Sequence, residues 1–195
     1  MGSTGSGNKL FLTGSTGQVC SVLFEFAIQD RQQVHGVSRS EEGDEKLKKL
    51  GAHSVRGDLH SLDVLSSEAA QADIVMHLAD SYLDRSKPKA YDEAIKIDIA
   101  ATNALAEPLV GTDKPLLVTS GSLISAADDG KETNEDSPPQ PNPFVERNRS
   151  EDSAMSWANK GVKVICIRLA PYTYGRGRSG VFLFLASALQ AKQAI

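Results

Sequence analysis

The first stretch whose residue types and spacing imply chemistry is Leu10-Phe11-Leu12-Thr13-Gly14-Ser15-Thr16-Gly17-Gln18-Val19-Cys20, an apolar run that passes through two glycines into helical spacing. A strand closed by Thr13, a turn and then a helix form a cradle for a pyrophosphate, because the free N–H groups of the helix's first turn point at the negative charge. Gly14 permits the tight exit from the strand. Gly17 lets the backbone approach the phosphates, with Ser15, Thr16, Gln18 and Val19 around it. The ligand expected on this turn is a nicotinamide dinucleotide. Cys20 occupies the third glycine position of the motif, where an added side chain costs on the order of 1 to 3 kcal/mol unless the helix moves outward. Weaker cofactor binding is the expected consequence.

A second strand, Val34-His35-Gly36-Val37-Ser38, runs into Arg39-Ser40, with no Asp or Glu at its end to hold a ribose 2′-hydroxyl. An arginine there can pair with a 2′-phosphate through two parallel hydrogen bonds, so NADP is the preferred cofactor, with NAD still possible. The alternative is that Arg39 only begins the charged segment 39–49. Lys46, Lys48 and Lys49 read as the solvated face of a helix, and His35 as a packed strand residue.

These residues need a frame to position them. Short apolar runs at 9–13, 33–38, 54–56, 73–78, 116–119 and 162–168 read as strands buried on both faces. Helical spacing fills the gaps at 18–30, 44–50, 64–71, 89–109 and 147–159, and a last helix is expected at 181–193. The alternation predicts an α/β fold, a Rossmann-type doubly wound parallel sheet with right-handed crossovers, over residues 9–195. Residues 1–8 are small and polar and read as a flexible tail. Residues 128–143 carry five acidic residues and four prolines. They read as a long exposed loop, either a functional lid or a disordered segment.

Composition narrows the partners. A net charge of −4 with a pI near 5.6 gives no electrostatic reason to bind nucleic acid or an anionic membrane surface. No apolar run is long enough to span a bilayer and no signal peptide is visible, so a cytoplasmic protein acting on a small molecule is expected. Cys20 and Cys166 form no CxxC pair and read as reduced, buried side chains. The Asn148-Arg149-Ser150 sequon has no use without secretion.

Several motifs in order resemble the extended short-chain dehydrogenase/reductases, also called the NAD-dependent epimerase/dehydratase family. Thr13-Gly14-Ser15-Thr16-Gly17 resembles the family's opening motif, and Gly57-Asp58-Leu59 its adenine-contacting aspartate after the third strand. Asp73-Ile74-Val75-Met76-His77-Leu78-Ala79 is similar to the fourth strand, which lies along the cofactor, and Thr119-Ser120-Gly121-Ser122 to the fifth. Arg168-Leu169-Ala170-Pro171-Tyr172-Thr173-Tyr174-Gly175-Arg176-Gly177 resembles the segment that borders nicotinamide and substrate. The resemblance implies cofactor contacts at Asp58, Leu59, Leu78 and Ala79, and a serine, a tyrosine and a lysine acting together on a hydroxyl or carbonyl. Ser122 stands at the serine position.

The remaining pair is missing, since none of the four tyrosines is followed by lysine four residues on. Arg147 falls at the lysine position and Pro143 or Phe144 at the tyrosine position. Arginine can hold a ribose or phosphate, but neither proline nor phenylalanine can move a proton. The resemblance is closest to atypical members with an altered active site. Tyr172 and Tyr174, each four residues before an arginine, are expected to shape the substrate side, while Asp80 and His77 lie near the expected nicotinamide, His77 as a structural residue. Family members continue with a further C-terminal substrate domain, so a shortened product or a fragment is expected. Three functions fit these residues: an NADP-dependent oxidoreductase or epimerase-like enzyme with Ser122 and Arg147 in its site, a non-catalytic dinucleotide-binding protein, or an inactive truncated product. The family's usual homodimer, packing 89–109 and 147–159, is implied by analogy alone.

Overall fold

Six parallel strands form one sheet in the order β3-β2-β1-β4-β5-β6 in a computed structural model that describes residues 7–81, 90–127, 131–141, 146–170 and 189. β1 (Lys9–Thr13) lies at the centre, paired with β2 (Gln33–Ser38) on one side and β4 (Ile74–His77) on the other. β3 (His53–Arg56) closes one edge, and β5 (Pro115–Gly121) and β6 (Lys163–Leu169) extend the other. The strand order reverses between β1 and β4, which opens a crevice at the carboxyl ends of the strands. This is the doubly wound α/β architecture expected from the alternating pattern.

Strict alternation along the strands builds two cores. Leu10 and Leu12 of β1 pack with Cys20, Phe24 and Ala27 of α1 (Gln18–Gln29) and Leu47 of α2 (Glu41–Lys49). Phe11, between them, points the other way. It joins Leu65 and Ala69 of α3 (Leu62–Gln71), Ala101 and Leu105 of α4 (Tyr91–Ala106), and Ala154 of α5 (Asn148–Ser156). Parallel strands covered on both faces explain the near-continuous apolar runs of β1 and β4. On β6, Ile165, Ile167 and Leu169 are 42%, 38% and 39% exposed on the face away from α5.

Element ends differ from the sequence reading for local reasons. α2 begins at Glu41 rather than 44 because the Ser40 side chain accepts from the Gly43 N–H at 3.2 Å and three acidic residues occupy its first turn. Gly43 had hidden that start. α4 stops at Ala106 and tightens into a 3-10 turn, Glu107–Leu109, around Pro108. Asn8 already accepts from the Gln33 N–H at 3.0 Å, so contacts with β2 begin before Lys9. The expected helix at 181–193 lies outside the described residues apart from Leu189.

Gly36 sets the seat of α1 and α2 on the sheet. A Cβ there would lie 2.7 Å from Ser15 Cβ and 3.1 Å from Leu47 Cδ1. Gly36→Ala is expected to cost on the order of 1 to 3 kcal/mol by overpacking, measured by urea denaturation. Gly121→Ala, whose Cβ would meet nothing nearer than Leu169 O at 4.0 Å among the described residues, is the control and is expected to stay within about 0.5 kcal/mol of the parent.

Candidate functional site

The carboxyl ends of β1 and β4 meet at the glycine turn. Gly14 takes φ 69°, the left-handed region, and a Cβ on it would stand 2.8 Å from the Ala79 amide nitrogen and 2.9 Å from the Leu78 carbonyl. Backbone therefore packs on backbone, which only glycine allows. The Thr13 hydroxyl, 1% exposed, stitches the same contact: it accepts from the Ala79 N–H at 3.2 Å and shares a hydrogen bond with His77 Nδ1 at 2.6 Å. The buried Ser15 hydroxyl donates to the Val37 carbonyl and ties the turn to β2. Gly17 donates to Gly14 O at 2.9 Å and stands as the extended N-cap of α1, which has no side-chain cap and no acidic residue in its first turn. Thr16, Gly17, Gln18 and Val19 are exposed along this rim.

Cys20 fits where a third glycine was expected. It is 1% exposed, its thiol reaching toward the Thr13 carbonyl at 3.9 Å, and burial pushes its pKa up to about 12. It is a packing residue with no nucleophilic character. Cys166 is likewise pushed up to about 12, first by burial and then by the Glu151 carboxylate.

At the β2 end, Arg39 is exposed and directly follows the buried Ser38. The structure adds Lys46, which the sequence reading had left on a solvated helix face. Its ammonium donates to the Thr16 carbonyl at 2.6 Å, so α2 hangs a cation over the glycine turn. No spacing in the sequence marks Lys46 for this contact, which depends on how α2 lies across the turn. After β3, Asp58 Oδ1 accepts from the His60 N–H at 2.9 Å and the Ser61 N–H at 3.1 Å. Burial pushes the Asp58 carboxyl up, but these bonds outweigh it and hold it below its usual range. Leu59, Leu78 and Ala79 are partly buried beside it and the turn.

At the other end, Ser122 opens a 3-10 turn, Ser122–Ile124, directly after β5. Arg147, one residue before α5, is engaged by two carboxylates. Its Nη1 lies 2.6 Å from Asp80 Oδ2 and 3.2 Å from Asp98 Oδ2, and Nη2 donates to Thr119 O at 3.5 Å. A second arginine clamps the neighbouring layer. Arg168 donates to Glu151 at 2.7 Å and 3.0 Å, to Ser125 Oγ at 3.2 Å and to the Glu135 carbonyl at 3.4 Å. The acidic, proline-rich loop folds back there, with Ala126 N–H donating to Pro138 O at 2.7 Å and Gln140 N–H to Ile124 O at 2.6 Å. Tyr172 and Tyr174 lie outside the described residues. Among the described residues no three His, Cys, Asp or Glu side chains are grouped to hold a metal ion, and no helix is long and apolar enough to cross a membrane.

His35 is half-buried with Nδ1 3.1 Å from Glu68 Oε2, a packed residue of β2.

Residues 10–193 match the NAD dependent epimerase/dehydratase family, and the chain belongs to that family. An uncharacterized protein of Schizosaccharomyces pombe is 33% identical over 171 residues, 87% of this chain and 55% of its own length. An uncharacterized Saccharomyces cerevisiae protein is 32% identical over the same extent. The chain thus spans about half the length of the curated relatives it matches. Among solved structures, the Bordetella bronchiseptica enzyme WbmG in complex with NAD superimposes with a TM-score of 0.72 at 21% identity, over 100% of this chain and 63% of that one.

His77 gives the site a pH signature. Burial, and then the positive Arg147, lower its pKa from 6.5 to about 4, so the folded protein keeps it neutral while the unfolded chain protonates. Its contribution is complete above pH 6.5 and is lost as pH falls toward 4, up to roughly 3 kcal/mol. Asp98 acts with the opposite sign, so the expected readout is a difference: His77→Gln loses less stability than the parent between pH 6.5 and 4 in urea melts. Parallel curves would contradict the assignment.

Proposed function

We propose that this chain binds a nicotinamide dinucleotide along the carboxyl edge of its sheet, NADP in preference to NAD. On this reading it works as an oxidoreductase or epimerase-like protein on a small molecule bearing a hydroxyl or carbonyl. The observation that carries the reading is the backbone contact of Gly14 with Leu78 and Ala79, an approach that any Cβ at Gly14 would break. The rim made by Thr13, Ser15, Thr16 and Gly17 with the N–H groups of Gln18 and Val19 fits a pyrophosphate. Asp58 and Leu59 fit the adenine side, and Leu78 and Ala79 the wall toward nicotinamide. Arg39 and Lys46, at the end of β2 and over the turn, support a 2′-phosphate.

A bound nicotinamide would supply a hydride acceptor or donor. Ser122, at the end of β5, would donate a hydrogen bond to the substrate oxygen and hold it in place. Arg147 positions neighbouring groups through Asp80, Asp98 and Thr119 O. Similarity to WbmG, which has been crystallised with NAD and with UDP, supports a small-molecule substrate. A second reading, dinucleotide binding without turnover, draws support from the absent tyrosine–lysine pair.

A thermal-shift titration tests both. A ligand at about 100 times its Kd adds roughly 2.7 kcal/mol and raises Tm by several degrees. NADPH is expected to shift the protein more than NADH. Arg39→Gln and Lys46→Gln are each expected to narrow that difference by about tenfold in relative affinity, the worth of one charge-assisted bond. No shift with either cofactor overturns both readings. Binding without hydride transfer to a panel of aldehydes and ketones selects the second.

A further inference from the structure

Two carboxylates share one guanidinium at the end of β4. The side chains of Asp80, Arg147 and Asp98 are 21%, 18% and 5% exposed, so Asp98 is buried while Asp80 and the bridging Arg147 keep partial access to solvent. Fully ionised, the trio carries one more negative charge than positive. Asp98 cannot shed that excess into water, because its Oδ1 is held by the Ser81 N–H at 3.3 Å and its surroundings are apolar helix. Burial, and then the facing Asp80, raise its carboxyl from 3.8 to about 6. The trio therefore accepts a proton readily.

Its place in the crevice gives that property a use. Asp80 directly follows Ala79, whose amide touches the glycine turn. With the pyrophosphate on that turn and the 2′-phosphate half toward Arg39 and Lys46, the other half extends over β4 and β5, past Asp80.

We propose that Asp80, Arg147 and Asp98 form a proton-holding site coupled to the charge of the nicotinamide ring, and that this site takes the substrate's hydroxyl proton in place of the missing tyrosine. The balance closes on the groups named. As the carbinol C–H bond breaks and its electron pair leaves as hydride for the oxidised ring, Asp80 accepts the proton of the O–H bond. That bond's electrons become the second bond of the carbonyl held by Ser122. Arg147 keeps the two carboxylates together, so that the charge on each sets the proton affinity of the other. The excess negative charge of the trio is cancelled as the positive charge of the ring is lost, so no net charge is created in the crevice.

Among the described residues, the other charged or titratable groups facing the trio hold their state between pH 5.5 and 7.5. Behind Arg147 stand His77, neutral with its pKa at about 4, and Cys166, protonated with its pKa at about 12. Glu151 stays ionised against Arg168.

The inference rests on the dinucleotide reading above, and binding alone tests it. The ratio of the Kd values for NADP+ and NADPH is measured from pH 7.5 to 5.5, where the 2′-phosphate titrates alike in both and cancels. The expected result is a ratio that rises as pH falls, by up to about tenfold per unit, because a protonated trio loses its attraction for the cationic ring. Asp98→Asn and Asp80→Asn should bind both cofactors with a flat ratio. Asp80→Asn, at the more exposed position, keeps the test open if Asp98→Asn fails to fold. A flat ratio in the parent, or an unchanged slope in a well-folded variant, overturns the inference and leaves cofactor binding intact. Binding of neither cofactor overturns the reading beneath it as well.

Discussion

The close approach of the Gly14 backbone to Leu78 and Ala79 governs the geometry of the whole carboxyl edge. It is the point where β1 and β4 diverge, and the Thr13 hydroxyl, between His77 and the Ala79 amide, holds them at that separation. Ser15 ties the same turn to Val37 of β2, and Lys46 ties it to α2 through the Thr16 carbonyl. Held from three strands and a helix, the turn is a rigid platform. The helix N–H groups that face an anion are then fixed by the fold and not by the ligand. Cys20 is compatible with this because its thiol lies along α1 against the Thr13 carbonyl, inside the core that contains Leu10 and Phe24.

Charge is distributed unevenly around that platform. Cations gather at the β2 side, where Arg39 and Lys46 stand, and among the described residues two carboxylates, Asp80 and Asp98, share Arg147 at the β4 side. NADP has the complementary asymmetry, with its 2′-phosphate at the adenosine end and, when oxidised, a cationic ring at the other. α5 fixes the second half of the arrangement. Arg147 precedes it, and Glu151 on its first turns holds Arg168 of β6, which in turn pins Ser125 and the acidic loop. Buried pairs of this kind add little net stability for their desolvation cost, but losing one partner is expensive, so they lock geometry.

Periodicity and turn chemistry made the sheet legible from the sequence. Two-sided burial writes β1, β2 and β4 as apolar runs, and a strand–glycine–helix succession has few structural solutions. Boundaries were lost where a local cap or a proline decides, as at Ser40 and Pro108. The site was legible in proportion to its dependence on backbone. Gly14 and Gly17 announce themselves because only glycine suits the turn, whereas Lys46 looked like any surface lysine until α2 was laid across Thr16. The Asp80–Asp98–Arg147 trio joins residues far apart in sequence, and no spacing rule connects them. Arg147 had been placed by position alone, and its carboxylate partners depend on how β4, α4 and α5 converge.

Hydrogen–deuterium exchange with and without NADPH tests the central claim most directly, because it reads the backbone amides that form the platform. Protection confined to the amides of 14–20, with a second zone at 39–46, is the predicted result, since those N–H groups and their neighbours would close on the phosphates. Protection elsewhere with the turn unchanged would contradict the account, even if the cofactor bound tightly.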